Sequence, residues 1–536
     1  MLRTLTRSMS RKKVSSTAIR HVGTVAAVAG VLALATACTS SGSDAGKPGT
    51  SGAGIAKVAY TFSEVQGVLL DPVENKGGYQ PWMQLMYDTM IHQTPQGLEP
   101  GLAVKWDFPD AKTIDLTLRQ GVKFQDGTPF DAAAVKFSWE RVMASKTMQK
   151  SAALAAMTSI DTPSTDRVVV HLNGPYAAEW RDQLLKGAVY LAVVSPAAVQ
   201  QAGSGFASKP LGAGAGPYGF SSYASGQSIK LTASPNYWDQ SAVTLAGVEF
   251  VNTAGGAPTI AALKSGVVNM AFTTGGASIS SAKSQGLTVA NSVVRPDWEY
   301  GAYFCTDKAP FDKLDARKAV AYALNRAAFV SGPYGGYAVE NSTTIPTTST
   351  DWPGKTVANP YEYSIDKAKA ALAAAGVSPG TTITAIADPT DVNSATLQIL
   401  QSQLKAVGLD LSIVPSANAF ADLRSKKPSI YFQGSGFPYG AQGIFVQPGG
   451  VANYCSFDDP SLDAALAKAT DPTLDPAATP QAWAEYQKVY YDTLPGINIA
   501  DIQLATITTK AVSGVSKTMD LSNGQPQSWA GLKVNA

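Results

Sequence analysis

The sequence predicts an α/β protein built as two or three compact units. Three observations support this. Segments of strand period and helix period are interspersed along the chain with no repeat period. Residues 382–414 read as strand, helix, strand, the pattern of a parallel βαβ unit. About 500 residues follow the N-terminal leader, more than one core usually supports.

In chain order, Ala56–Phe62 alternates and predicts a first strand, and Trp82–His92 has helical apolar spacing. Thr113–Leu118 alternates strictly. Gly121–Phe124 continues it after a turn, and Asp126-Gly127 is a hairpin signal. Asp131 stands where a helix over Ala132–Met143 needs an N-cap. Val168–Leu172 reads as a strand and Ala177–Leu185 as a helix. Pro210–Gly219 is a Gly/Pro-rich loop, but no Gly-Lys-Ser/Thr follows it, which argues against a phosphate cradle.

Further strands are expected at Ile229–Ala233, Val248–Val251, Asn269–Phe272 and Tyr300–Cys305, with a short helix over Pro258–Gly266. Asp315–Phe329 predicts one amphipathic helix, and Ser364–Gly376 a helix closed by glycine. The βαβ unit comprises Thr382–Ile386, Ser394–Val407 and Asp410–Val414. Helices at Asp459–Ala469 and Gln481–Thr493 and a strand at Gly496–Ala500 complete the pattern.

The N-terminus carries Arg3, Arg7, Arg11, Lys12, Lys13 and Arg20, then the apolar run Val25–Ala37 ending in small residues before Cys38. These are the marks of a secretory signal, and the run is short for a membrane span. Leu34-Ala35-Thr36-Ala37-Cys38 resembles a bacterial lipobox, with Ala35 where leucine is usual. The resemblance implies that Cys38 is acylated. An ordinary signal peptide cut before an incidental cysteine is the alternative. Thr39–Gly54 is a Gly/Ser/Thr tether that cannot bury a core. Six of the 42 basic residues lie in the leader, so the remainder carries 36 against 40 acidic residues, a net of −4. That balance gives no nucleic-acid footprint. Cys305 and Cys455 remain as an even pair. In an oxidising compartment they are candidates for a disulfide, with two buried thiols as the alternative.

Five ordered motifs resemble one known family, the extracytoplasmic solute-binding proteins of peptide-type ABC importers, family 5. Leu116–Trp139, LTLRQGVKFQDGTPFDAAAVKFSW, is similar to the family signature, matching at Leu118, Arg119, Gly121, Val122, Lys123, Phe124, Asp126, Gly127, Pro129, Phe130, Val135 and Phe137. Gly212–Phe220, Ser234–Trp238, Ala309–Phe311 with Arg317–Val320, and Tyr363–Gly376 resemble four further elements in the family's order. Ala215 and Ser234 depart from the usual Thr and Asn.

The resemblance implies a two-lobed periplasmic-binding-protein type II fold with an extra subdomain inserted in the first lobe. The expected division is 1–37 signal peptide, 38–54 tether, 55–83 with 205–302 and 503–536 as lobe I, 84–204 as the insert, and 303–502 as lobe II. It also implies a monomeric lipoprotein on the outer face of the cell membrane, or in the periplasmic space where an outer membrane exists. Its partners would be a peptide or other small-molecule ligand and an ABC permease with its ATPase.

Trp298, Tyr300 and Tyr303 flank the expected crossing strand, and Phe437 and Tyr439 lie in Gly434–Phe445; these five are the candidate ligand contacts. Relatives that bind peptides carry an aspartate for the ligand's amino group in the latter stretch. This chain has no acidic residue between Asp422 and Asp458. A peptide ammonium would need another anion, with Glu64, Asp71 and Glu299 as candidates, and a neutral solute such as an oligosaccharide becomes a rival cargo. Enzyme chemistry finds little support. His92 and His171 have no metal spacing, no cofactor or metal is called for, and Gly434-Ser435-Gly436 is not a nucleophile elbow. A ligand-sensing lipoprotein without transport is the third class.

Overall fold

Alternation of apolar residues sets the strands, and the computed structural model shows how they pair. It describes residues 53–535 except 63–69, 75–79, 95, 147, 149, 183, 188–190, 350–351, 388–390, 417–418, 436–441, 451, 472–473, 476, 519–520 and 523. Cys38 and the leader lie outside the described residues.

The strand β1 (Ile55–Tyr60) is buried on alternate and then consecutive positions because it sits inside a sheet. A separate antiparallel sheet follows from β2 (Ala103–Asp110), β3 (Thr113–Leu118), β4 (Met157–Ser164) and β5 (Arg167–Leu172), in the order β2-β3-β5-β4. Its inner face buries Ile114, Leu116, Val168 and Val170 beneath the helix Ala132–Ala144. That helix begins as expected, with the Asp131 carboxylate accepting from the Ala134 N–H at 2.9 Å.

The main sheet resumes with β6 (Tyr218–Ala224), β7 (Ser228–Ala233), β8 (Gly247–Asn252) and β9 (Met270–Thr273). The long strand β10 (Thr288–Phe304) comes next, then β11 (Ala338–Glu340). β12 (Thr381–Ala387) and β13 (Leu409–Pro415) pair in parallel around the helix Asp391–Val407, which is the βαβ unit expected from sequence. β14 (Ile430–Ser435) and β15 (Gly496–Thr508) complete the nine-stranded sheet, whose order is β14-β10-β15-β9-β1-β8-β7-β6 with β11 also on β15.

β10 and β15 pair antiparallel over nearly their whole lengths, from Thr288↔Thr508 to Tyr303↔Gly496. One end of β15 contributes Ile497, Ile499 and Ile502 to a core shared with the βαβ unit, and Ile507 near its other end packs with Ala59, Ile260 and Leu263. A further core joins Val58, Trp82, Phe250 and Trp529, so residues from both ends of the described chain close one unit.

Two expectations are corrected. Trp82–His92 is not one helix: the helix Pro81–Tyr87 stops at Asp88, whose φ is 61°, and Ile91–Thr94 is a strand paired with Gly97–Pro100. Asp315–Phe329 is two helices, Leu314–Ala323 and Arg326–Ser331, broken at Leu324-Asn325. The strand expected at Tyr300–Cys305 is present, as the last part of the longer β10. The Gly-rich loop has a packing role. A Cβ on Gly214 would lie 1.9 Å from the Met86 carbonyl oxygen, and one on Gly216 would lie 2.3 Å from that of Leu85. Only hydrogen fits where this loop crosses the end of the helix Pro81–Tyr87.

Candidate functional site

The site is organised by the two crossing strands. From Val294↔Gln503 to Glu299↔Asp501 the register of β10 on β15 slips, so that Arg295, Pro296, Asp297 and Trp298 stand opposite Ile502 alone. Pro296 has no N–H to give a ladder, which favours this wide bulge. The bulge lies between the part of β10 that pairs with the far end of β15 and the part that also pairs with β14. It carries Trp298 and borders Tyr300 on the backbone; their side chains lie outside the described residues.

Beside the bulge, on the partner strand, Asp501 is fully buried. Its carboxylate accepts from Thr347 N at 2.7 Å, Thr347 Oγ1 at 2.6 Å and Asn341 Nδ2 at 2.8 Å. Burial pushes its carboxyl above the usual range, and these hydrogen bonds oppose that rise. Asn341 also donates to the Ile345 carbonyl at 2.8 Å and accepts from Thr343 N at 3.0 Å. Asn498 Nδ2 on β15 donates to the Thr343 carbonyl at 2.7 Å, and Thr344 N donates to Gln487 Oε1 at 2.8 Å. Residues 341–347 are thereby strapped along β15. Gln442 Nε2, donating to the Thr344 carbonyl at 3.3 Å, ties the strap to the C-terminal end of Gly434–Phe445.

The five candidate contacts fall out differently. Tyr303 is 2 % exposed and stacks between Tyr431 and Phe445, with ring centroids 5.4 and 5.1 Å away. This is a core position, set by its cross-strand pairing with Tyr431. Phe437 and Tyr439 lie outside the described residues. Of the candidate anions, Asp71 is engaged: Arg141 Nη2 lies 2.6 Å from its Oδ2, and Oδ1 accepts from Val73 N at 3.0 Å. Glu64 lies outside the described residues, as does the Glu299 side chain.

Cys305, one residue beyond β10, is paired as a disulfide with Cys455, with Cα atoms 4.7 Å apart, inside the ~4.4–6.8 Å span such bonds adopt. Near Cys455 lies a cavity of about 500 Å³ that no sequence motif signals. Lys150 lines one side. Arg424, Asn453, Ser456, Asp458 and the turn Pro448–Gly450 line the other. These residues are brought together from segments far apart in sequence, and none belongs to a motif. Among the described residues no group of three or more His, Cys, Asp or Glu is placed to hold a metal ion, and no helix is long and apolar enough to cross a membrane. His92 Nε2 lies 2.6 Å from the buried Asp88 Oδ1. Asp88 Oδ1 also accepts from Thr89 N at 2.7 Å, and Oδ2 accepts from Tyr237 Oη at 3.1 Å and Trp238 Nε1 at 3.0 Å, a structural arrangement.

Two long strands crossing between separately packed α/β cores, with an added antiparallel subdomain, define a two-lobed binding protein of the type II periplasmic class. Residues 97–449 match the bacterial extracellular solute-binding proteins, family 5 (middle region), and the chain belongs to that family. A glutathione-binding protein of Salmonella paratyphi A is 30% identical over 314 residues, 57% of this chain and 58% of that protein. The chain thus aligns with a little over half the length of that relative. The peptide-complexed periplasmic binding protein DppA of Helicobacter pylori superposes with a TM-score of 0.75 at 20% identity, covering 90% of this chain and 99% of that one. The agropinic acid complex of AgaA from A. tumefaciens gives 0.77 at 23% identity, covering 90% and 99%. Both likenesses concern the fold.

Proposed function

We propose that this protein is the extracytoplasmic solute-binding lipoprotein of an ABC importer, capturing a peptide between two lobes and delivering it to the permease. The observation that carries the reading is the pair of crossing strands, which contribute to both cores and whose largest register slip lies at Arg295–Trp298, in a chain of this family. A ligand with higher affinity for the closed arrangement shifts the lobes toward it, and the closed form is what the permease recognises. The activity is binding without catalysis. Acylated Cys38 anchors the domain through the tether 39–54, and the protein acts as a monomer.

In this reading lobe I comprises 55–83, 205–302 and 503–536, the insert 84–204 and lobe II 303–502. Trp298, Tyr300, Phe437 and Tyr439 reach the ligand from the bulge and from Gly434–Phe445. The absence of an acidic residue in Gly434–Phe445 favours one second reading, a neutral solute such as an oligosaccharide. The test is mass spectrometry of material released from the denatured, purified protein, followed by melting curves with peptides and oligosaccharides. Release of peptides, and a rise in melting temperature with them, supports peptide capture. A rise with oligosaccharides alone overturns it.

A further inference from the structure

The point where the tether meets the folded domain gathers four stretches of chain. Gly54 N donates to the Val534 carbonyl at 3.1 Å. Asn269 Nδ2 donates to the Ile55 carbonyl at 3.0 Å, and Asn269 N to that of Lys57 at 2.8 Å. Thr509 N donates in turn to the Asn269 carbonyl at 3.0 Å, and Asn535 N to that of Ala511 at 2.9 Å. Residues 53–57, 262–269, 508–517 and 531–535 thus lie together at the end of the main sheet where β1 begins and β15 finishes.

These stretches carry Lys57, Lys264, Lys510, Lys517 and Lys533 and no aspartate or glutamate, although the chain beyond the leader is net acidic. Lys264, Lys510, Lys517 and Lys533 are exposed, and among the described residues none of the five lysines is in an ion pair. Glu249, opposite Lys57 on β8, has its carboxylate 3.4 Å from Lys230 instead. Lys264 Nζ gives one of its three donors to the Gln285 carbonyl at 2.8 Å. In the same place Ile55 and Val267 are 47 % and 55 % exposed. A merely solvated basic face has no need to hold aliphatic side chains in water. Cations set around aliphatic residues fit a surface that is anionic outside and apolar beneath.

We propose that this end of the sheet is a membrane-contact face: its lysines bind the anionic headgroups of the bilayer, and Ile55 and Val267 enter the boundary between headgroups and acyl chains. The inference rests on the lipoprotein reading above, because an acyl group on Cys38 is what brings the face to a bilayer. About 16 residues run from Cys38 to Gly54, and a flexible chain of that length has an r.m.s. reach of about 20–24 Å. The face from which the tether leaves is therefore the one presented to the lipid first. The attraction of one lysine is weak and fades within a Debye length, about 8 Å at physiological salt. The anchor makes the encounter intramolecular, so a few weak contacts suffice to orient the domain. The other end of β1, at Tyr60, then points away from the bilayer.

The test uses the full acylated chain, floated with vesicles of phosphatidylcholine alone or of phosphatidylcholine mixed equally with phosphatidylglycerol. Lysine acetylation rates are read by mass spectrometry. Lys264, Lys510 and Lys533 are expected to react about tenfold more slowly on the mixed vesicles. Lys369 and Lys405, exposed on the helices Ile365–Ala374 and Asp391–Val407, should keep their rates. The Lys510→Gln/Lys533→Gln variant should return Lys264 to its rate on phosphatidylcholine, with an unchanged melting temperature showing that it folds. Equal rates on the two vesicles would overturn the membrane face and leave the anchor standing, because the chain still floats. Slow acetylation in detergent that rises on dilution would assign the face to a second copy of the chain instead. A chain that floats with neither vesicle overturns the lipoprotein reading, and the inference falls with it.

Discussion

Cys305 and Cys455 are bonded across a separation of 150 residues, joining the end of a crossing strand to the loop that walls the charged cavity. Closure of so long a loop restricts the unfolded chain, and such bonds typically contribute about 2–4 kcal/mol. The Cys305→Ser/Cys455→Ser double variant is expected to lose stability in that range in urea unfolding. Adding reductant to the wild type should move its midpoint toward that of the variant. Equal midpoints for oxidised, reduced and double-variant protein would show that the bond contributes nothing.

The strap 341–347 depends on Asn341, which donates to both Asp501 and the Ile345 carbonyl. Asn341→Ala leaves these buried acceptors short of a donor. The expected loss is about 1–3 kcal/mol, measured by chemical denaturation. Asn341→Asp should be worse than Asn341→Ala at neutral pH, because it sets a second carboxylate against Asp501. The opposite order would show that this amide is not a necessary donor.

Glu179 gives a pH signature. Burial pushes its carboxyl from 4.5 up to about 7, with a hydrogen bond from Ser151 Oγ at 2.9 Å opposing the rise. The folded state thus keeps a proton that the unfolded state has lost. The stability linked to this group is fully present below 4.5 and disappears as pH rises through about 7. Between roughly pH 5 and 8, Glu179→Gln should show a shallower fall in melting temperature than the wild type. Parallel profiles would refute the assignment.

Asp88 offers its carboxylate to four donors while its backbone sits at φ 61°. Asn carries the same backbone strain as Asp there, but it turns an amide NH₂ toward groups that already donate. Asp88→Asn is expected to destabilise the protein by about 2–3 kcal/mol, read from the urea midpoint. A change under ~0.5 kcal/mol, the scatter of ordinary surface substitutions, would mean that the carboxylate is dispensable.

Legibility in the sequence followed the range of the interactions. The Asp131 cap, the strand Thr113–Leu118 and the βαβ unit were readable because their causes lie within a few residues. The helix expected over Trp82–His92 ends early because tertiary donors to Asp88 hold it in an extended, positive-φ conformation that apolar spacing does not encode. β10 was read only at its end: Arg295-Pro296-Asp297 looks like a break, yet the strand resumes after the bulge. Tyr303 stands out in the sequence by its place on the crossing strand, but its partners Tyr431 and Phe445 come from distant segments. Lys150, Arg424 and Asp458 left no local trace, since only folding brings them together.

β10 and β15 act mechanically as a two-ply leaf spring. Their amide–carbonyl ladder runs on both sides of the bulge, so any swing of one lobe must twist paired strands rather than pivot on a slack tether. The largest mismatch in ply length, four residues of β10 against Ile502, is at Arg295–Trp298, and a twist would concentrate there. In the proposed hinge motion, the torque that would reopen the lobes comes from the sheet itself and not from the solute.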